Sequence, residues 1–377
     1  MTLTALTGAT RGYSDPRLSP IVERLDDFVA ADPDYSFQLC AYHAGELVLD
    51  AWGGPHLSAD SLIVPFSVTK NTIGLSIGLL FQRGILNPDE RVASYWPEFA
   101  AKGKQDITVR MLLSHQAGLP QAQPSLSWAE VFDDHLGATA LARSRPLWHP
   151  GSAFGYHALT IGNLASELVF RASGRTLREF YEEELRAPLG IDFYLGLPPR
   201  LDERRVPVLP IIQPENEPPA AWSSPLTAVA MSMSGPPVDF ANDEASWRFG
   251  HPSGSGIGSA RALARLFAAT VTGLEGAPPL FEVDTIDVLS QQQVHGYDEV
   301  LGQSDRAHSI VFQKPTKSMP FGGHRAFGHD GAAGAFACAD PDAGLAFAYT
   351  VARGPWPGGA DPRAIAIAAE LGRMLNA

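Results

Sequence analysis

Residues with strand character gather near the two ends of this chain and are scarce between them. Ser36–Tyr42 and Leu47–Trp52 are short runs rich in apolar and aromatic residues, and the tight turn "HAGE" between them predicts a hairpin. Ser309–Gln313, Gly334–Ala339 and Leu345–Val351 have the same character, and the turn signal "DPDAG" joins the last two. Helical patterns fill the rest. Ser19-Pro20 opens one helix, with Ile21, Leu25, Phe28 and Val29 at helical spacing. Thr176 and Glu179 form a capping box ahead of Phe180, Tyr181 and Leu185. Ser259 starts a helix with Leu263, Leu266 and Phe267 on one face and Gly273 at its end. Asp361-Pro362 caps a closing helix carrying Ile365, Ala368, Leu371 and Leu375.

That order predicts an α+β fold whose single antiparallel sheet is assembled from both chain ends. Residues 1–88 and 301–377 would form the sheet domain, residues 89–300 a mainly helical one, with the active site between them. Prolines are dense and periodicity weak from Leu197 to Pro252, and so long a loop-rich stretch in a compact protein shapes or covers a site. With 377 residues, 45% of them hydrophobic and 18% charged, the chain has material for a large core and lacks the signature of disorder.

Charge and composition exclude several functions. A net charge of −13 opposes nucleic acid and anionic lipid surfaces. Cys40 and Cys338, the two cysteines, cannot make a disulfide framework and read as buried free thiols in apolar runs. The N-terminus lacks a basic start and a long apolar run, and no segment reaches spanning length without Gly, Pro or charge, so the expectation is a soluble, cytoplasmic protein. Eleven histidines include no H-E-x-x-H, there is no Cys-x-x-Cys, and "GSGIGSARALARL" lacks the lysine and strand of a phosphate loop, so neither metal nor cofactor is expected.

Chemistry concentrates in "SVTKNTIGLSIG", residues 67–78, where two serine-enzyme motifs overlap. Ser76 lies in G-x-S-x-G. Ile73, Ile77 and Leu80 surround it at i, i+4 and i+7, so it falls inside a helix running from about Ser67 to Gly84. The nucleophile of a G-x-S-x-G enzyme needs a sharp strand-to-helix turn. Ser76 has none, and reads as a small residue at a helix contact. Ser67 follows Pro65-Phe66 at the helix start, near free backbone N–H groups and the positive end of the dipole. Lys70 is one turn on, where apolar neighbours can desolvate its amine and lower its pKa enough to act as a base.

Five stretches together resemble the serine β-lactamase and penicillin-binding-protein superfamily, and within it class C β-lactamases and the family VIII carboxylesterases. They are "PFSVTKNTIG", "TVRMLLSHQAGLP", "PLWHPGSAFGYHALTIGNL", "PSGSGIGSARALARLFA" and "FGHDGAAGAF", in the family's order. The resemblance implies that Ser67 is the acyl-accepting nucleophile, Lys70 its base and Tyr156 the tyrosine that exchanges protons with serine and leaving group. It places His329, Asp330 and Gly331 in the third box, and pairs the N–H groups of Ser67 and Ala332 as an oxyanion hole. His157 joins His329, Asp330 and Gly331 as a substrate-binding position. His115, in "LLSHQAGL", corresponds to a structural turn.

Two departures from the family pattern bear on substrate. Where β-lactamases carry Tyr-x-Asn, this chain has Tyr156-His157-Ala158 and lacks the carboxamide. Where they carry Lys-Thr-Gly, it has His329-Asp330-Gly331, and an ordinary histidine, with a pKa of about 6.5, is largely neutral at pH 7. Recognition of an anionic amide-bearing lactam weakens while the acyl-transfer groups remain. The expected substrate is a small neutral ester with a short apolar acyl group, and Trp148, Phe154, Trp222, Trp247, Phe321, Phe327 and Trp356 supply candidates for its pocket. The alternatives are an amidase or D-aminopeptidase of the same fold, a weak β-lactamase, and a non-catalytic acyl-binding relative.

Overall fold

The computed structural model describes residues 3–218, 224–231 and 237–376. The elements that matter here are β1 (Thr4–Thr7), β2 (Thr10–Ser14), α1 (Ser19–Ala31), β3 (Phe37–His43), β4 (Glu46–Gly53), α2 (Lys70–Gln82), α3 (Thr160–Ser173), α4 (Ala260–Phe267), β5 (Phe327–Asp330), β6 (Phe336–Asp340), β7 (Leu345–Val351) and α5 (Pro362–Leu375). The seven strands form one antiparallel sheet in the order β1-β2-β4-β3-β7-β6-β5. The two chain ends meet at its centre, where β3 pairs with β7 from Phe37↔Val351 to His43↔Leu345.

Helices cover both faces of the sheet, so its central strands are buried on both sides. On β3, Phe37, Leu39 and Ala41 point into a core shared with Ile21 and Leu25 of α1 and Ile367 and Leu371 of α5. Cys40 and Tyr42 point the other way, into the core that holds Leu263, Leu266 and Phe267 of α4. The alternation continues on β7. Phe347 and Tyr349 fill the α1/α5 side, while Ala346 and Ala348 face α4. Small residues on that face allow α4 to lie directly across β3, β6 and β7. Cys40 and Cys338 are buried, free and on opposite faces of the sheet.

Local signals hold where they were strong. Ala44 and Gly45 in "HAGE" have φ of 47° and 83°, the left-handed pair that a two-residue hairpin turn requires. Asp361 caps α5 by accepting from Arg363 N–H, and Thr176 and Glu179 complete their capping box. Ser259 caps α4.

Two expectations change. Ser309–Gln313 is not a strand. Val311 takes φ 67°, which breaks the extended run and leaves isolated bridges from Gln313 to His308 and Gly328. The strand lies just upstream, Gln303–His308, paired with Val294–Asp298. The sheet also gains β1 and β2, because the positions β2 buries are Thr10, Gly12 and Ser14, which carry no apolar signal. The helix α4, within residues 89–300, packs across β3, β6 and β7 of the sheet. The proline-rich stretch holds short helices, including Pro225–Met231 and Glu244–Phe249.

Candidate active site

The turn that leads into α2 sets the site. Phe66 has φ 51°, a left-handed conformation that costs a bulky residue energy and persists only when its surroundings impose it. Ser67 follows within a 3₁₀ turn, Phe66–Thr69, that runs straight into α2. The spacing of three residues then stacks Lys70 under Ser67. The Lys70 amine donates to Ser67 Oγ at 3.0 Å and to the carbonyl of Ser253 at 2.7 Å. The Tyr156 hydroxyl donates to the same Oγ at 2.8 Å, and Lys70 Nζ lies 4.9 Å from the centre of its ring.

Burial tunes these groups. Lys70 is fully buried, which pulls its pKa well below the usual amine range, against the opposing charge of Asp330. A neutral amine at that position can take a proton. Burial pushes the Tyr156 phenol upward, opposed by its hydrogen bond to Ser67, so it is protonated at neutral pH and able to give a proton. The Ser253 carbonyl that anchors Lys70 is itself fixed. Ser253 Oγ donates to Leu159 O at 2.7 Å and accepts from Gly162 N at 2.8 Å, tying its loop to the start of α3.

The end of β5 closes the site from the other side. A side chain at Gly331 would put Cβ 2.2 Å from the carbonyl of Pro65, so only glycine lets this strand approach the serine turn. Asp330, Gly331 and Ala332 thereby line the same cleft as Ser67 and Tyr156. Among the described residues no protein acceptor takes the Ala332 N–H, while its carbonyl accepts from Gly359 N at 3.0 Å. The cleft encloses about 290 Å³. Phe66, Leu159, Met231, Phe240 and Leu301 give it an apolar side, and Gln303, Arg306, Gln313 and Asp330 a polar one.

Not every residue named from sequence reaches this cleft. His329 is fully buried, its Nδ1 donating to the Asp330 carbonyl at 2.7 Å and its ring 5.8 Å from that of Tyr156. Burial beside Lys70 holds it neutral, so it backs Tyr156 and does not line the cleft. His157 is also fully buried. Its Nδ1 donates to Gly155 O at 2.6 Å and its Nε2 accepts from Leu119 N at 2.8 Å, a structural tie away from the cleft. His115, φ 65°, accepts from His157 N at 3.2 Å, and serves its turn. Trp148, Phe154, Trp247, Phe321, Phe327 and Trp356 do not line the cleft either, and Trp222 lies outside the described residues. Their apolar role falls to Phe66 and Phe240, which sequence reasoning passed over. Ser76 is buried mid-helix, and Gly74 beside it is packed against Phe312.

Among the described residues no group of three His, Cys, Asp or Glu is arranged to hold a metal, and no helix is long and apolar enough to cross a membrane.

The family model described as Beta-lactamase matches residues 25–371. The chain belongs to the beta-lactamase family. Within that family it is similar to Esterase/beta-lactamase LipL of Mycobacterium tuberculosis, with 32% identity over 373 residues, 89% of this chain and 81% of LipL. Among solved structures it is similar to EstA from Arthrobacter nitroguajacolicus Rue61a, 39% identical, covering 100% of this chain and 99% of EstA, with a TM-score of 0.91. A family VIII carboxylesterase matches at 29% identity over 96% of this chain and 99% of its own, with a TM-score of 0.86. The β-lactamase-like fold and the superfamily that the five sequence stretches pointed to are therefore those of this molecule.

Proposed function

We propose that this protein is a serine carboxylesterase acting on small carboxylic esters through an acyl-enzyme on Ser67. The observation that carries the reading is one oxygen, Ser67 Oγ, held 3.0 Å from Lys70 Nζ and 2.8 Å from the Tyr156 hydroxyl at a cleft that is apolar on one side. Lys70, neutral through burial, draws the serine proton as Oγ attacks the ester carbonyl. The N–H groups of Ser67 and Ala332 receive the oxyanion. Tyr156 passes a proton to the departing alcohol, and water then repeats the sequence on the acyl-enzyme. Similarity to a family VIII carboxylesterase supports the choice of an ester substrate, while LipL is named for both esterase and beta-lactamase activity.

The cleft fits a neutral, short-chain ester better than a lactam. Ala158, in place of the family's carboxamide, lines it, and the third-box residue that would carry positive charge is a buried histidine. Two buried free thiols suit a reducing, cytoplasmic setting. The test is hydrolysis of p-nitrophenyl butyrate alongside labelling by a fluorophosphonate. The expected result is turnover and labelling in the wild type, and loss of both in Ser67→Ala. Nitrocefin should be a far poorer substrate, and comparable kcat/KM on it would overturn the ester preference.

A further inference from the structure

Tyr156 belongs to no helix or strand, so no regular ladder holds its backbone. Its N–H donates instead to a side chain 142 residues away, reaching both oxygens of Asp298 at 3.1 Å. Asp298 ends the strand Val294–Asp298 and is fully buried. Its Oδ1 also accepts from Val300 N at 2.9 Å and Leu301 N at 2.8 Å. The nearest cationic candidate, His308 Nε2, is 3.9 Å away, and burial keeps that ring neutral. A carboxylate buried with backbone N–H groups as its main partners is expensive to keep. The bonds to residues 300 and 301 alone would only shape a loop. The bonds to Tyr156 N–H tie that loop to the residue that contacts Ser67 Oγ. Val300 packs in the same cluster as the Tyr156 ring, and Leu301 lines the cleft.

We propose that Asp298 is a positioning residue, which fixes the Tyr156 backbone so that the phenol hydroxyl meets Ser67 Oγ. The carboxylate is suited to this because it is acceptor-only and can receive three N–H groups at once. An isosteric carboxamide turns one of its two ends into a donor, which would face an N–H. The phenol then swings from its place, and a misplacement on the scale of 1 Å costs about 10²-fold in rate.

This inference rests on the esterase reading, and a double-mutant cycle separates the two. On p-nitrophenyl butyrate, Asp298→Asn is expected to lower kcat about 10²-fold. In the Tyr156→Phe background, where the hydroxyl to be positioned is gone, the same change is expected to cost less than about threefold. A purely structural role would cost the same factor in both backgrounds, and that result would overturn the proposal. So would an Asp298→Asn enzyme with unaltered kcat. Circular dichroism checks the fold of each variant, and if Asp298→Asn does not fold, Asp298→Glu, which keeps the charge and shifts the oxygens, carries the same cycle. Should Tyr156→Phe alone keep most of its kcat, the proton-transfer mechanism fails first, and the positioning role falls with it.

Discussion

Asp330 carries a charge into the cleft while its neighbour His329 turns away from it. The Asp330 carboxylate accepts from Gln313 Nε2 at 2.7 Å, and its negative charge opposes the desolvation that depresses Lys70. If neutral Lys70 is the base, kcat/KM falls on the acid side as Lys70 becomes protonated. Removing the nearby negative charge disfavours the ammonium form, so Asp330→Asn should move that acid limb to lower pH. A pH–rate profile of both enzymes on one ester checks this, and an unmoved limb would assign the base elsewhere. Lys70 and Tyr156 share one oxygen, so their losses should not multiply. Lys70→Ala and Tyr156→Phe should each lower kcat roughly 10²–10⁴-fold, and the double variant far less than the product. Ser67 and Lys70 were legible because three residues of helix bring them together by local geometry alone. Ser253, 183 residues from Lys70, and Asp298, 142 from Tyr156, were not, since nothing local marks a carbonyl or carboxylate as a partner.

At the scale of elements, α2 shows why one motif can mislead. Its Gly-x-Ser-x-Gly spacing serves packing. A Cβ at Gly74 would lie 2.3 Å from the buried ring of Phe312, and one at Gly78 would lie 2.8 Å from Leu289. Gly74→Ala gains about 1 kcal/mol in helix propensity. Overpacking against a ring with nowhere to go costs about 1–3 kcal/mol, so the net expectation is a lower Tm by circular dichroism. Ser76 gives the opposite sign. Its hydroxyl is buried with no hydrogen-bond partner among the described residues. Ser76→Ala should therefore leave kcat unchanged and raise Tm by about 2 °C. The misread run at Ser309–Gln313 has a related cause. Ile310, Val311 and Phe312 are fully buried, as strand residues would be, but they plug the space beside α2 through the bend at Val311. Apolar content reveals burial, and only backbone conformation distinguishes a plug from a strand.

At the scale of the whole molecule, the sheet's closure was readable because its central strands are apolar on both faces, and such runs appear only near the ends of the sequence. The polar edge hairpin of β1 and β2 left no such trace. The closing helix is the clearest structural wager here. Ile365, Ile367, Leu371 and Leu375 of α5 are buried against the sheet, and Arg24 of α1 bonds Glu370 at 2.6 Å. At about 1.5–3 kcal/mol for each large aliphatic side chain, α5 contributes on the order of a whole domain's net stability. Truncation before Asp361 should yield no cooperatively folded protein in a urea titration, and a truncated chain that unfolds with the wild-type midpoint would contradict this packing.

The pairing of β3 with β7 also fixes when activity can appear. Ser67, the proposed nucleophile, and Lys70 emerge early in synthesis, but Gly331 and Ala332 come much later in the chain. The strand β7, which seats their sheet against β3, comes later still. At roughly 5–20 residues per second, the ribosome leaves that serine without its proposed oxyanion partner for on the order of tens of seconds. Nascent chains stalled before residue 332 should therefore resist a fluorophosphonate that marks the folded protein, so this fold ties reactivity to the synthesis of its later sheet strands.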